Sequence, residues 1–202
     1  MRKGIIAVFA VIAVSTLSVV TAFSPSSMPA KAELIEEAKP LVNITYTSLG
    51  VPAINSSFKT YMDYRTITNK LSPQYNFIKT WGWSDNNGFM RANGERDLGV
   101  TDDYYMIALG SYYGTEIGTK YKITTDTGNV FYGVLCDQKD DAHTNSTHQY
   151  ASNNDVVEFI VDTRMLIPTV KRMGSANVYM PLNGNIASIE KMGFIWNGGE
   201  QK

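Results

Sequence analysis

A pair of segments on either side of a short turn constrains the fold of this chain more than any other feature. Residues 120–125 alternate polar and apolar side chains, and an apolar run over 130–136 follows after only four residues. Alternation of this kind indicates a half-buried strand. The intervening residues 126–129 include Gly128, and glycine supplies the backbone conformation that tight turns require. The sequence therefore predicts a β-hairpin over 120–136.

Further apolar runs bounded by turn residues follow along the chain. A strand is predicted wherever such a run is rich in β-branched and aromatic residues. Residues 170–174 instead have the pattern of a helix end that Gly174 stops. Many short strands and few helices predict a mainly β fold, either a small barrel or a sandwich. The predicted strands are 104–109, 156–162, 177–180 and 186–190.

The composition excludes several classes of function. The chain has 202 residues, of which 44% are hydrophobic, so it can bury a core. Lys and Arg number 18 and Asp and Glu 19, and this balance argues against a nucleic-acid-binding protein. The single cysteine, Cys136, excludes an internal disulfide framework and a multi-cysteine zinc site. With only His143 and His148, a His-rich metal site is excluded too, and no cofactor is predicted.

Residues 1–32 have the layout of a secretory signal peptide. A positively charged start precedes an apolar run over 4–23, and Ala-Lys-Ala at 30–32 then forms a cleavage motif. We expect cleavage after Ala32, with Ala22 as a second option. The mature protein would then be secreted or associated with the cell wall. The organism is expected to be a bacterium, because a single cysteine fits an exported protein of an organism that does not rely on extracellular disulfides. An uncleaved membrane anchor is the alternative, since roughly 20 apolar residues can span a bilayer.

The rest of the sequence divides into two parts. Residues 33–100 are predicted to be an N-terminal extension, partly linker and partly packed on a barrel domain over 101–198. Within the extension, residues 33–39 suit two helical turns. Spaced aromatic residues predict one helical turn at 58–62 and a strand at 75–77.

Two tryptophans flank a glycine in a turn-rich part of the extension. Trp81 and Trp83 can pack together as a buried aromatic corner, or they can offer flat ring faces on which a sugar stacks. The pair is therefore a candidate substrate-binding surface, with packing as the alternative.

Three short motifs follow one another in the predicted barrel domain. They are Ile-Ala-Leu-Gly at 107–110, Val-Leu-Cys-Asp at 134–137 and Val-Val-Glu-Phe-Ile-Val-Asp at 156–162. These motifs resemble those of the double-psi β-barrel in the three-aspartate cell-wall domain. That domain is shared by membrane-bound lytic transglycosylase A and many secreted Gram-positive wall proteins. The position of the family's first Asp corresponds to the region of Gly110, where this chain has no Asp. In the third motif, Glu158 replaces the family's Asp.

The resemblance implies a small double-psi-like β-barrel that acts on peptidoglycan, by cleavage like that of a lytic transglycosylase. It places Glu158 at the position of the catalytic acid, with Asp137 as its partner. The neighbouring residues also favour a raised pKa for the Glu158 carboxyl. Glu158 lies between Val157 and Phe159, and desolvation raises the pKa of a carboxyl. Lys139, two residues after Asp137, is a further candidate for contact with the substrate.

Several alternatives stay open. Glu158 can be a structural acid, exposed at a rim or paired with Lys120 or Lys122 across the sheet. The protein can be a noncatalytic module that binds the cell wall or another surface, or a structural domain of a spore, phage or mobile element. The partner expected for an enzyme or a binding module is peptidoglycan or another wall glycan. No nucleic acid and, after signal cleavage, no membrane is expected.

A polar loop over 137–154 contains acids and both histidines, which suggests a metal site. Asp137, Asp140 and Asp141 do not have the spacing of a calcium loop, and the histidines do not have that of a zinc motif. A solvated loop without a metal is therefore predicted. Cys136, at the end of an apolar strand, is predicted to be a buried small hydrophobic residue.

Overall fold

The computed structural model describes residues 44–92 and 103–195, all within one unit of the chain, Lys39–Lys202. The signal peptide and the helical turns predicted at 33–39 lie outside the described residues. In the described part, nine strands in one mixed sheet and two α-helices confirm the mainly β fold class. The strands are β1 (Tyr46–Leu49), β2 (Tyr61–Asp63), β3 (Gly82–Ser84), β4 (Met90–Ala92), β5 (Tyr104–Leu109), β6 (Thr119–Thr125), β7 (Val130–Gln138), β8 (Glu158–Val161) and β9 (Ile186–Ile195), and the helices are α1 (Pro73–Trp81) and α2 (Pro168–Met173).

The predicted hairpin is confirmed as β6 and β7, which pair antiparallel with Lys122 opposite Tyr132. Its turn depends on Gly128, whose φ of 87° lies in the left-handed region. The Gly128 N–H donates to the Thr125 carbonyl at 3.0 Å. β9 pairs with the other edge of β6, and β5 with the other edge of β7, so the hairpin lies in the middle of the sheet.

β5 is the strand around which the candidate catalytic acids are arranged. Its six residues are all buried, and it runs parallel to β7 and antiparallel to β4 and β8. Its side chains alternate between two apolar clusters: Ile107 lies in the cluster of Phe159, and Ala108 in the cluster of Ile160. A strand buried on both faces requires a continuous apolar run, which β5 has.

Residues 44–92 contribute four strands to the same sheet. β1 pairs with β9, β2 runs parallel to β8, and β3 and β4 extend the sheet beyond β5. Between β1 and β2, Val51 and Ile54 pack against the core, and the Ser56 hydroxyl accepts from the Ile186 N–H at 2.9 Å. The linker-like composition of this stretch therefore does not prevent it from packing.

The elements predicted within residues 58–80 are wrong. Residues 61–63 form β2 rather than part of a helical turn, because their backbone pairs with β8. Residues 75–77 lie in α1 rather than in a strand. The sequence does contain the helix signal: Ser72 is the N-cap, with its hydroxyl accepting from the Tyr75 N–H at 3.2 Å. The proline that follows Ser72 occupies the first helical position, which favours proline.

The strand predicted at 177–180 is also wrong. Two 3-10 helices, Ala176–Val178 and Met180–Leu182, take its place. Val178 and Met180 are exposed, so the alternation of apolar residues here does not mark a buried face. The remaining predictions of this kind are confirmed, namely strands at 104–109, within 156–162 and at 186–190, and a helix that ends before Gly174.

Candidate functional site

Glu158 is the first residue of β8, and its carboxyl lies beside a buried cation. The Nζ of Lys139 is 3.6 Å from Glu158 Oε2, and the Glu158 side chain is 24% exposed. Lys139 follows β7 directly and is held there by its N–H, which donates to the Leu109 carbonyl at 3.0 Å. The Lys139 side chain is almost completely buried. This candidate for substrate contact therefore lies against acids of the protein itself.

Asp155 completes a buried cluster that the sequence did not reveal. Lys139 Nζ donates to Asp155 Oδ2 at 2.6 Å. The Thr60 hydroxyl donates to the same oxygen, and the Thr60 N–H donates to Oδ1 at 3.3 Å. We call Thr60, Lys139, Asp155 and Glu158 the ion-pair cluster. The sequence signal for it is weak, because Asp155 directly follows the polar loop and Thr60 lies far away in sequence, in the segment predicted to form a helical turn.

The surroundings of Glu158 change how its carboxyl titrates. Burial is the largest influence and raises the pKa of Glu158, while Lys139 works against this rise and Asp155 adds to it. A carboxyl with a raised pKa keeps its proton at a higher pH than an exposed glutamate, which is the property a general acid needs. The desolvation expected from the apolar neighbours of Glu158 is therefore present.

Asp137 and Glu158 flank Ala108 on opposite sides of β5. Ala108 is paired with Asp137 on β7 and with Glu158 on β8, so the two acids share a face of the sheet. Two strand spacings separate them, roughly 10 Å between Cα atoms. Cys136 is an extra residue in β7, and this bulge places Asp137 on that face. Burial raises the pKa of Asp137 as well, but no described ion pair or hydrogen bond joins the two carboxyls.

The alternative pairing of Glu158 with Lys120 or Lys122 is excluded by the order of the strands. Both lysines lie on β6, and β7 and β5 separate β6 from β8. A cross-strand pair requires neighbouring strands. Lys122 Nζ instead lies 3.3 Å from Glu190 Oε2 on β9, which is the direct neighbour of β6.

Trp81 and Trp83 lie in different surroundings. Trp81 ends α1 and is partly buried against the apolar cluster of Ile160. Trp83, in β3, is 39% exposed and lines a cleft that Trp81 does not line. The two indoles therefore do not form one flat platform, and Trp83 is the one of the two that faces this cleft.

The cleft at Trp83 has a volume of about 590 Å³ and lies between α1, β3 and the segment that precedes α1. The rings of Tyr64, Tyr75 and Trp83 line it, and the buried side chains of Ile78 and Met90 add apolar surface. Small-molecule sites commonly occupy about 300–1,000 Å³, so the cleft is large enough for a ligand of that class. We call it the Trp83 cleft. The sequence indicated only Trp83 of these five residues.

Charged side chains are distributed unevenly around the Trp83 cleft. Lys70 and Lys79 line it, and neither forms an ion pair with a described residue. Asp162, the one acid among the described lining residues, is buried, and Arg164 donates to its carboxyl at 2.6 Å. This hydrogen bond lowers the pKa of Asp162. Arg65 also lines the cleft, but its guanidinium is bonded to a neighbouring aspartate.

The polar loop after β7 is bonded internally. His148 Nδ1 lies 3.4 Å from Asp141 Oδ1 and 3.1 Å from Thr144 Oγ1. Among residues 44–92 and 103–195, no group of three or more His, Cys, Asp or Glu is placed to hold a metal ion. Cys136 is confirmed as a buried residue, and burial raises the pKa of its thiol.

Comparison with known proteins finds no relative: no family model, no curated protein and no solved structure matches the chain. In the part of the chain that the structure describes, no helix has both the length and the apolar character needed to cross a membrane. The double-psi topology and the catalytic role of Glu158 therefore stay predictions.

Proposed function

We propose that this chain is a noncatalytic module that binds a glycan of the bacterial cell wall or surface in the Trp83 cleft. The supporting observation is the exposed Trp83 beside two tyrosine rings and buried apolar surface in a cleft of about 590 Å³. Sugar rings present apolar C–H faces framed by hydroxyl groups. Aromatic side chains that join a broad apolar surface to a polar tip suit such faces.

Polar groups in the same cleft suit the hydroxyls of a sugar. Thr68 and Ser84 line it beside the aromatic rings. The Tyr64 hydroxyl accepts from Arg164 Nη2 at 3.1 Å, which holds that ring in place before any ligand arrives. Ligand sites typically combine an apolar lining with a few polar groups that fix orientation, and a ring that is already held loses less freedom on binding.

The position of the candidate acids favours binding over cleavage. Neither Glu158 nor Asp137 lines the Trp83 cleft. Glu158 lies against buried Lys139 as a member of the ion-pair cluster, whereas an acid catalyst has to reach the oxygen of the scissile bond. The cleft reaches Asp162, just after the end of β8, whereas Glu158 begins that strand. A glycan held at the Trp83 cleft would therefore need a second contact region at the start of β8 before Glu158 could act on it.

Co-sedimentation with purified peptidoglycan sacculi tests the proposal. Trp83→Ala should weaken binding roughly tenfold or more, the loss expected when an aromatic anchor is truncated. Tyr112→Ala is the matched control, because Tyr112 is 46% exposed and does not line the cleft. Thermal unfolding would show that both variants fold. Absence of binding by the wild type, or equal binding by Trp83→Ala, would contradict the proposal.

Glycan cleavage at Glu158 is the second candidate, and the raised pKa of its carboxyl favours it. Mass spectrometry of digested peptidoglycan would then show anhydro-sugar ends. Glu158→Gln removes the transferable proton, so activity should fall about 10²–10⁴-fold, and Asp137→Asn should cost less. Glu190→Gln is a control that removes an acid paired with Lys122 on the far side of the hairpin from Glu158. A wild-type protein that leaves no anhydro ends would exclude this candidate.

Export is proposed on the strength of the pattern at residues 1–32 alone. N-terminal sequencing of protein recovered from the medium or the wall should begin at Glu33, because cleavage is expected after Ala32. Protein that keeps Met1 and fractionates with membranes would contradict cleavage.

A further inference from the structure

We infer that the glycan bound in the Trp83 cleft is anionic, and that Lys70 and Lys79 select it by its carboxylate or phosphate groups. The inference rests on the proposed function, since it names the class of ligand for the same cleft. It depends on the placement of charges, whereas the proposed function depends on the aromatic rings. The two can therefore fail separately.

Lys70 and Lys79 reach the cleft from two different elements. Lys70 lies in the segment between the 3-10 helix Tyr64–Thr66 and α1, and Lys79 lies in the last turn of α1. Both residues are exposed and both line the cleft. Neither has an ion-pair partner within the described ranges. Their ammonium groups are thus available to a ligand.

Asp162 in the cleft lining and Asp63 beside the lining residue Arg65 already have cationic partners. Asp162 is 4% exposed, and its Oδ2 lies 2.6 Å from Arg164 Nη2. Arg65 forms a two-pronged contact with Asp63, at 2.7 Å for Nε to Oδ1 and 2.8 Å for Nη2 to Oδ2. The charges of these two pairs cancel. Among the lining residues that the structure describes, the two lysines therefore leave an excess of positive charge, on a chain whose net charge is −1.

This excess favours an anionic ligand over a neutral one of the same shape. Hydrogen bonds from an ammonium to a charged oxygen are shorter and stronger than those between neutral groups. Lysine binds carboxylate and phosphate oxygens as a point charge, without the planar geometry that arginine imposes. Either group suits the cleft, provided that it is carried by a sugar that also contacts the rings.

Chemically modified sacculi separate the two sources of negative charge. Sacculi of a Gram-positive bacterium are used intact, after hydrofluoric acid has removed phosphodiester-linked polymers, and after the carboxylates have been converted to neutral amides. Wild-type binding should fall after the treatment that removes the recognised group. Loss after hydrofluoric acid identifies phosphate, and loss after amidation identifies carboxylate. Undiminished binding to sacculi that have received both treatments would overturn the inference.

The double variant Lys70→Ala, Lys79→Ala gives the matched comparison. Binding to intact sacculi should weaken roughly tenfold, the combined loss expected for two exposed charge pairs, and added salt should weaken it less than it weakens the wild type. Arg172→Ala is the control, since Arg172 is an exposed cation outside the lining. A double variant with wild-type affinity and wild-type salt dependence would overturn the inference.

Trp83→Ala distinguishes failure of this inference from failure of the proposed function. If Trp83→Ala loses binding while the double lysine variant keeps it, the cleft binds a neutral glycan, and only the inference is wrong. If Trp83→Ala binds as well as the wild type, the cleft is not the glycan site, and both proposals fail.

Discussion

Lys59 provides a direct test of the packing between the N-terminal stretch and the sheet. Its side chain is fully buried, and its Nζ donates to the carbonyls of Ser57 and Gly184 and to the side-chain oxygen of Asn177. Burial is the largest influence on the pKa of Lys59 and lowers it to about 8, against the attraction of two aspartates. The folded protein therefore disfavours the charged form of this lysine.

The pH dependence of stability follows from proton binding in the two states. Well below pH 8 both states hold the Lys59 proton, and the destabilisation by the buried charge is complete. Between about pH 8 and 10.5 the unfolded chain still holds the proton that the folded protein has lost, so stability rises with pH. At 1.36 kcal/mol per pKa unit, the full difference is roughly 3 kcal/mol. Roughly 2 kcal/mol of this rise falls between about pH 7.5 and 9.5.

Urea unfolding across that pH range measures the rise. Lys59→Met keeps the aliphatic stem and removes the amine, so its free energy of unfolding should lack this increase. Burial also raises the pKa of the Cys136 thiol, which lowers stability as pH rises above about 8.5, and the pKa of Tyr113 and Tyr121, which lowers stability mainly above about pH 10. These contributions are the same in both proteins, so the difference in free energy of unfolding between wild type and Lys59→Met isolates the rise due to Lys59. The same slope of stability against pH in wild type and Lys59→Met would refute the reasoning.

Three further predictions concern the hairpin, the core and the thiol. Gly128→Val should lower the free energy of unfolding by on the order of 1 kcal/mol or more, because the φ of 87° at this position is strained for a β-branched residue. Nothing lies within 4 Å of an added Cβ, so the loss would come from the backbone and not from a clash. Urea unfolding should show a smaller loss for Gly128→Asn, and equal stability of Gly128→Val and wild type would contradict the predicted turn. Phe159→Ala should cost about 3–5 kcal/mol, since its ring is fully buried, and an unchanged urea midpoint would remove it from the core. Cys136 should resist a thiol reagent at neutral pH until the protein is unfolded, because burial raises the pKa of the thiol; fast labelling of the folded protein would show an accessible sulfur.

The elements that could be predicted from sequence are those whose own residues contain the signal. The hairpin has alternation and a turn glycine with positive φ at Gly128, and β5 has a continuous apolar run because both of its faces are buried. The helix α2 ends before Gly174, which adopts the left-handed conformation that a helix end favours. In each case, local preference and tertiary packing agree.

The elements that were predicted wrongly depend on partners far along the chain. Residues 61–63 are a strand because β8 lies beside them, about a hundred positions later, and three residues are too few to show a period. At 177–180, the apolar alternation belongs to exposed side chains in 3-10 helices. An apolar sequence pattern predicts burial only where the buried residues recur with the period of a helix or a strand.

The candidate site could be predicted only in part for the same reason. The neighbours of Glu158 in sequence indicate its desolvation. The rest of the ion-pair cluster is distant in sequence or in other elements: Lys139 reaches Glu158 from the polar loop, and Asp155 and Thr60 join the cluster through Lys139 and through each other. Trp83 was identified as a candidate sugar contact. The rest of its cleft forms only when α1 packs beside β3 and β4, which residue spacing does not reveal.

Nuclear magnetic resonance tests the role of the Trp83 cleft most directly, with the protein titrated by soluble peptidoglycan fragments. The chain has three tryptophans, so three indole N–H signals can be followed separately. The Trp83 signal should shift saturably with ligand, while the signal of Trp81, packed against the Ile160 cluster, should change little. Saturable shifts around Glu158 with an unchanged Trp83 signal would contradict a glycan site at the cleft.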